Sequence, residues 1–156
     1  FSVAQVSYSV SRRGVVRGVH YTATPPGGAK YVYCARGRAL DFVVDLRVGS
    51  PTFGRWDRLV LDQHGTQAVY VPVGLGHLFV ALEDETVMTY TLSTEYVAQN
   101  ELAVSPTDPE LGIPIPEDIA PVLSDRDRDA PGLAEARAFG MLPEYTRSLE
   151  LEKALR

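Results

Sequence analysis

Apolar and polar positions alternate in short segments through the first hundred residues, which is the pattern of half-buried β-strands. In Thr86–Ser93, for example, alternation puts Thr86, Met88, Tyr90 and Leu92 on one face. The pattern predicts eight strands: Ser2–Val10, Val15–Tyr21, Lys30–Ala35, Ala39–Arg47, Trp56–Leu61, Ala68–Val73, Gly76–Leu82 and Thr86–Ser93.

Turn-forming residues separate these segments at a spacing of roughly 8–12 residues, as in all-β sandwiches and barrels. The separators are rich in Gly, Pro, Ser and Asp, for example Gly49-Ser50-Pro51-Thr52 and Gln63-His64-Gly65-Thr66. By strand count and order, the sequence therefore predicts an all-β jelly-roll sandwich of antiparallel strands.

The last third of the chain changes character. Between Pro106 and Pro121 it is proline-rich and aperiodic, so it is expected to wrap irregularly over the surface. Helical spacing follows in Leu133–Phe139 and Tyr145–Leu155, with Asp129 expected to cap the first helix and Pro131 to occupy its first turn. The prediction is a short helical C-terminal appendage on the sandwich.

Composition and charge narrow the class of protein. The 156 residues suit one domain spanning 1–156, and a net charge of −5 argues against binding to nucleic acid through phosphate neutralisation. No apolar run is long enough to span a membrane, and no signal peptide is indicated. The single Cys34 cannot form an internal disulfide, which favours a reducing, cytoplasmic compartment. Because the chain begins without Met and enters a strand directly, an N-terminal segment is expected to be missing.

The stretch from Arg17 to Lys30 carries the densest candidate chemistry. It places Arg17, His20 and Lys30 on either side of a Pro-Pro-Gly-Gly turn, and strand-like sequence flanks that turn. A hairpin here would hold His20 and Lys30 side by side near one end of a sheet. A small-ligand site is therefore predicted at this turn.

Several blocks of sequence stand in a fixed order along the chain: Gln5, Gly14 to Tyr21, Lys30-Tyr31-Val32, Asp45 to Gly54, Pro72 to Phe79, Tyr90 to Tyr96, Asp108-Pro109 and Ser124 to Asp127. Over about residues 3–132, these blocks resemble the dTDP-4-dehydrorhamnose 3,5-epimerase family. The similarity is strongest to the antibiotic-pathway branch that acts on dTDP-4-keto deoxysugars, in particular the 5-epimerase of vancosamine-type amino sugar biosynthesis.

The resemblance implies a cupin jelly-roll homodimer that exchanges strands, acts on a dTDP-4-keto-deoxysugar and needs no cofactor. It implies that His20 is the catalytic base, Asp127 its dyad partner, Tyr90 the acid on the opposite face and Lys30 the residue beside the sugar ketone. Diphosphate and nucleotide contacts are implied for a second group: Arg17, Gln5, His77, Tyr96 and Arg126.

The implied chemistry agrees with the residue types. Inverting a centre next to a ketone requires a base, an acid opposite it and a group that stabilises the enolate oxygen, and these match His20, Tyr90 and Lys30. Metal binding is not expected, because the His-x-His ligand pattern of metal-binding cupins is interrupted by Thr22. Ser7 stands where rhamnose enzymes usually have Asn, and Arg126 where they usually have Lys, so the substrate need not be that of rhamnose synthesis.

Several functions remain open from the sequence. Epimerisation at C5 is favoured, and inversion at C3 alone or at both carbons is the nearest alternative. A 3,4-ketoisomerase would be expected to carry other histidines. A nucleotide-sugar-binding cupin without catalysis is disfavoured because His20, Lys30, Tyr90 and Asp127 are all present.

Overall fold

A computed structural model describes residues 1–155 and shows two antiparallel sheets packed face to face. The nine strands are β1 (Gln5–Ser11), β2 (Val16–Thr22), β3 (Lys30–Arg36), β4 (Arg38–Asp45), β5 (Trp56–Asp62), β6 (Val69–Val71), β7 (Leu75–Ala81), β8 (Thr86–Leu92) and β9 (Glu101–Ala103). One sheet has the order β1-β8-β3-β6 and the other β5-β4-β7-β2-β9. The predicted all-β sandwich is confirmed.

Three short helices follow the strands: α1 (Asp125–Arg128), α2 (Leu133–Ala138) and α3 (Tyr145–Ala154). The two helices predicted from periodicity match α2 and α3. The start at Leu133 was predicted correctly, but the predicted cap was wrong, because Gly132 rather than Asp129 is the N-cap and Pro131 therefore precedes the helix. Helix α1 and strand β9 were not predicted, since four and three residues are too few to show a period.

Each face of the five-stranded sheet is covered by a different layer. Its inner face packs against the four-stranded sheet through a cluster that includes Val32, Phe79 and Met88. Its outer face, with Phe42 and Leu78, is covered by the C-terminal third of the chain. The proline-rich stretch has no regular structure, as expected, and buries Leu111 and Ile119 in this second cluster.

The outer face of the four-stranded sheet is apolar and open to solvent. Register aligns Val6, Thr91 and Tyr31 in one row across β1, β8 and β3, and Tyr8, Thr89 and Tyr33 in the next. The apolar members of this face include Tyr8, which is 73% exposed, and Val6, which is 62% exposed. The positions that alternate with these along β1, β8 and β3 face the other sheet and carry the residues of the candidate site instead.

The predicted hairpin between β2 and β3 was wrong. Strand β2 belongs to the five-stranded sheet and β3 to the four-stranded one, so the Pro-Pro-Gly-Gly segment crosses from one layer to the other. His20 and Lys30 therefore approach one cavity from opposite sheets rather than lying side by side on one. A ligand in this cavity would therefore be contacted from both sheets rather than from one.

Candidate active site

A cavity of about 180 Å³ opens between the two sheets at the end where the β2–β3 connection crosses. His20 enters it from the five-stranded sheet, whereas Lys30 and Tyr90 enter it from the four-stranded sheet. Its lining also includes Ser7, Thr22, Gly28, Leu92, Thr94, Glu95, Tyr96 and Glu101. The sandwich thus presents polar groups to a ligand from two opposing layers.

A β-bulge in β2 aims both Arg17 and His20 toward the opposite sheet. The register of β2 against β7 shifts between these two residues, which are three positions apart and would otherwise point to opposite faces. Gly18 occupies the bulge with φ +141°, and a Cβ there would lie 2.6 Å from Cα and Cβ of Leu78. Only glycine fits this close approach without displacing the neighbouring strand.

His20 forms a dyad with Asp127. The Nε2 atom of His20 lies 2.6 Å from Oδ1 of Asp127, a buried carboxylate, while the imidazole remains partly exposed to the cavity. An Nε2–H donor to this carboxylate leaves Nδ1 as the ring atom that can accept a proton. Burial lowers the pKa of His20 despite the opposing effect of Asp127, and the charges of Lys30 and Arg126 act in the same direction as burial. The imidazole is therefore neutral near pH 7 and able to act as a base.

Helix α1 holds Asp127 in place. Ser124 caps the helix by accepting a hydrogen bond from the Asp127 backbone at 3.1 Å, and the Gly18 backbone donates to Oδ2 of Asp127 at 3.4 Å. Burial alone would raise the pKa of Asp127, but its hydrogen bonds, first that from His20, lower it on balance. Asp127 is thus an ionised partner for the imidazole.

Tyr90 lies on the inner face of β8, between Ser7 on β1 and Val32 on β3 in register. Its hydroxyl is 3.2 Å from Oγ of Ser9. Burial raises the pKa of Tyr90 to about 12, so the phenol keeps its proton at neutral pH. It can therefore serve as a proton donor toward the cavity.

Lys30 is half-buried, and its side-chain ammonium has no hydrogen-bond or ion-pair partner within residues 1–155, although its backbone is paired in the sheet. Burial lowers the pKa of Lys30, while the charges of Glu101 and Asp41 oppose that effect. An ammonium that is held in a cavity without a partner is suited to an oxygen that gains negative charge.

The remaining predicted contact residues occupy three kinds of position. Tyr96 lines the cavity, and its backbone donates to Oε1 of Gln5 at 2.8 Å, which places Gln5 at the rim. Arg126 donates to the backbone oxygen of Glu101 at 2.8 Å. Arg17 donates to Ser11 at 3.1 Å and to the backbone of Val10 at 3.4 Å. The guanidinium of Arg17 has no carboxylate partner within the described part of the chain.

His77 lies beneath the cavity rather than in its lining. It is 3% exposed, and its Nε2 atom is 2.7 Å from Oδ2 of the buried Asp41. Its ring meets that of Tyr90 at 78° with the centroids 6.1 Å apart. This placement favours a supporting role behind Tyr90 over direct contact with a diphosphate.

Two acidic residues of the site were not predicted. Glu101 lines the cavity and accepts a hydrogen bond from Thr22 at 2.9 Å, but it lies in an aperiodic stretch that gave no signal. Asp41 did have a signal, because it is the one charged residue in the otherwise apolar run from Ala39 to Val44. A charge at an inward position of a buried strand indicates a specific partner.

No group of three or more His, Cys, Asp or Glu side chains within residues 1–155 is arranged to hold a metal ion. In the same part of the chain, no helix is long and apolar enough to cross a membrane.

A jelly-roll sandwich with a His–Asp dyad, a protonated tyrosine and an unpaired lysine around one cavity defines an acid–base enzyme of the cupin class. The model of the dTDP-4-dehydrorhamnose 3,5-epimerase family matches residues 1–135. The chain belongs to this family and is a dTDP-4-keto-sugar epimerase, as the resemblance predicted.

Individual relatives agree with that assignment. The chain is 51% identical over 156 residues to a dTDP-4-dehydro-6-deoxyglucose 3-epimerase from Streptomyces bikiniensis, covering 100% of this chain and 80% of the relative. It is 51% identical over 153 residues to a dTDP-4-dehydrorhamnose 3,5-epimerase from Streptomyces griseus, covering 98% and 76%.

A solved structure is similarly close. The crystal structure of a double mutant of a 3'-monoepimerase from Streptomyces bikiniensis, in complex with dTDP, matches with a TM-score of 0.96 and 49% identity. The match covers 100% of this chain and 78% of that one.

Proposed function

We propose that this enzyme inverts C3 of a dTDP-4-keto-6-deoxyhexose by removing the proton next to the ketone and returning one to the opposite face. The observation that carries the proposal is the placement of His20 and Tyr90 on opposing sheets around one cavity. A sugar ring between the layers would meet a base on one face and an acid on the other, which is what inversion requires.

Each step is assigned to a described side chain. Neutral His20 takes the proton at Nδ1, and Asp127 stabilises the resulting imidazolium through Nε2–H. The Lys30 ammonium stabilises the negative charge that moves to the ketone oxygen. The Tyr90 hydroxyl then delivers its proton to the carbon from the other face, and solvent restores both groups.

Two features of the relatives support this assignment. Relatives named as 3-epimerases and relatives named as 3,5-epimerases are equally similar to this chain, and C3 is the carbon that both names include. In the dTDP complex, a histidine and a tyrosine 70 positions apart are replaced by asparagine and phenylalanine, and His20 and Tyr90 have the same separation.

Inversion at C5, alone or together with C3, is the second candidate and is the one that the sequence favoured. It is supported by the similarity to the C5-inverting branch of the family and by Ser7, which lines the cavity where rhamnose enzymes usually have Asn. The two candidates differ in whether C3 alone is placed near Nδ1 of His20, or C5 is, alone or in addition to C3.

The roles of the surrounding residues follow from their positions. Arg17 and Arg126 supply fixed positive charge for the diphosphate, while Tyr96 and Gln5 at the rim contact the nucleotide. The open apolar face of the four-stranded sheet supports a homodimer, because an exposed patch of this kind usually marks an interface.

The proposal is tested by incubating the enzyme with a panel of dTDP-4-keto-6-deoxysugars in deuterated water and following each ring proton by NMR. The proposal predicts deuterium at C3 together with inversion of C3. Deuterium at C5 would favour the second candidate. Binding without exchange at either carbon would contradict an epimerase.

A further inference from the structure

Asp41 is a carboxylate in an unfavourable place for a purely structural residue. It is 0% exposed on the inner face of β4, between the two sheets, where Ala39 and Phe79 belong to the apolar cluster. Burying a carboxylate is destabilising unless its oxygens are hydrogen-bonded, and an apolar residue of similar size is often equally stable in such a place.

The carboxylate is only partly satisfied. Its Oδ2 atom is 2.7 Å from Nε2 of His77, a diagonal neighbour on β7, but its Oδ1 atom has no hydrogen-bond partner within the described residues. Buried acceptors almost always have partners, so an exception calls for a functional reason. Folding alone does not explain why this position is acidic.

The surroundings of Asp41 supply that reason. His77, which it anchors, packs against the ring of Tyr90 at 78°. The negative charge of Asp41 also acts on Lys30 and on Tyr90, the two side chains that the four-stranded sheet contributes to the chemistry. Asp41 therefore lies behind the acid half of the site, which consists of Tyr90 and Lys30 on the four-stranded sheet. Asp127 lies in the same way behind the base half, which consists of His20 on the five-stranded sheet.

We infer that Asp41 is a positioning residue for the acid half of the site. Asp41 fixes His77 against Tyr90 and places a buried negative charge opposite Lys30. The inference rests on the proposed function, because it assigns Tyr90 the return of the proton. It gives the site two histidine–carboxylate pairs: the His20–Asp127 pair places its imidazole in the cavity lining, and the His77–Asp41 pair lies behind that lining.

The test uses Asp41→Asn, which keeps the shape and removes the charge. Loosening Tyr90 should harm proton return more than proton removal, so inversion should fall about 100-fold and solvent exchange at the same carbon about 10-fold or less. The KM for the sugar nucleotide should stay within about two-fold of the wild type, since Asp41 lies behind the cavity and is not among its lining residues.

The matched control is Asp45→Asn on the same strand and the same side. Asp45 is also buried, but it accepts hydrogen bonds from Arg47, Ser50 and Thr52, away from Tyr90. This variant should lower the melting temperature while leaving the ratio of inversion to exchange unchanged. If Asp41→Asn does not fold, His77→Gln keeps a donor for Asp41, removes the ring beside Tyr90 and should shift the same ratio.

The possible outcomes distinguish a failure of the role inferred for Asp41 from a failure of the proposed function. If the wild type inverts its substrate and both Asp41→Asn and His77→Gln keep the wild-type ratio of inversion to exchange, the role of Asp41 is refuted while the proposed function stands. If the wild type neither exchanges nor inverts any sugar of the panel, the proposed function fails and the inference fails with it.

Discussion

At the scale of single residues, the site depends on how burial sets protonation states. Burial keeps His20 neutral and Tyr90 protonated near pH 7, which are the states that a base and an acid need before the reaction. Neither state could be derived from sequence, because both depend on which groups the fold places around the side chain. The choice of these groups, by contrast, came from the blocks that resemble the family, and the structure places His20, Lys30 and Tyr90 around one cavity.

These protonation states predict the pH dependence of kcat/KM. Activity needs neutral His20, and because its pKa is lowered, half of the activity should be lost only below the ordinary histidine value of about 6.5. On the alkaline side, Lys30 has a lowered pKa and should lose its charge before Tyr90, whose pKa is about 12. The charged and titratable groups around Lys30 are His20, Tyr90, Glu95, Tyr96 and Glu101 in the cavity and Asp41 behind it.

The measurement is a pH–rate profile, with Lys30→Met as the comparison variant. We expect the alkaline limb to disappear together with most of the activity in that variant. An acidic midpoint clearly above pH 6.5 in the wild type would contradict the assignment of His20 as a neutral, buried base.

At the scale of elements, strand identity was easy to predict and strand partnership was not. Alternation located eight strands because side-chain period is a local property of the backbone. The pairing of β2 with β7 and β9 instead of β3 is set by packing between layers. The turn sequence Pro25-Pro26-Gly27-Gly28 does not indicate whether the strands on either side of it pair with each other. For the same reason, α1 and β9 were not predicted from the sequence. The position of Asp127 beside His20 and that of Glu101 in the cavity lining could therefore not be predicted from the local pattern either.

The bulge in β2 gives the sharpest prediction for an element. Gly18→Ala would place a Cβ 2.6 Å from the Leu78 main chain and 2.7 Å from the carbonyl oxygen of His77, so β2 must shift away from β7. We expect a loss of about 3 kcal/mol in the free energy of unfolding, together with loss of activity as His20 moves. Urea denaturation and the epimerase assay measure the two effects.

Gly140→Ala is the matched control for this variant. Gly140 also has a positive φ, of +65°, but its added Cβ would meet no atom within 4 Å. Its cost should be about 1 kcal/mol, from backbone strain alone, with activity retained. Equal effects of the two substitutions would show that the close approach of β2 to β7 is unimportant.

At the scale of the whole molecule, the exposed sheet face predicts association. Val6, Tyr8 and Val10 on β1 share this face with Tyr31 and Tyr33 on β3, and all five are at least 40% exposed. Tyr8→Lys in the middle of the patch should convert a homodimer to a monomer, since it places a charge where a second copy would pack. Light scattering during size-exclusion chromatography measures the mass.

The surface variant Arg58→Glu, on an exposed position of β5 in the other sheet, is the control and should leave the dimer intact. A wild-type protein that remains a monomer at micromolar concentration would contradict the predicted interface.

In the proposed mechanism, the sandwich as a whole accounts for inversion by placing the base His20 and the acid Tyr90 on different sheets. This claim is tested most directly by comparing His20→Asn with Tyr90→Phe for solvent exchange and for inversion at the sugar carbon, by NMR in deuterated water. His20→Asn should abolish both. Tyr90→Phe keeps the ring but removes the proton donor, so exchange should persist in part while inversion falls by about 10²–10⁴-fold. Inversion at the wild-type rate in Tyr90→Phe would contradict the account.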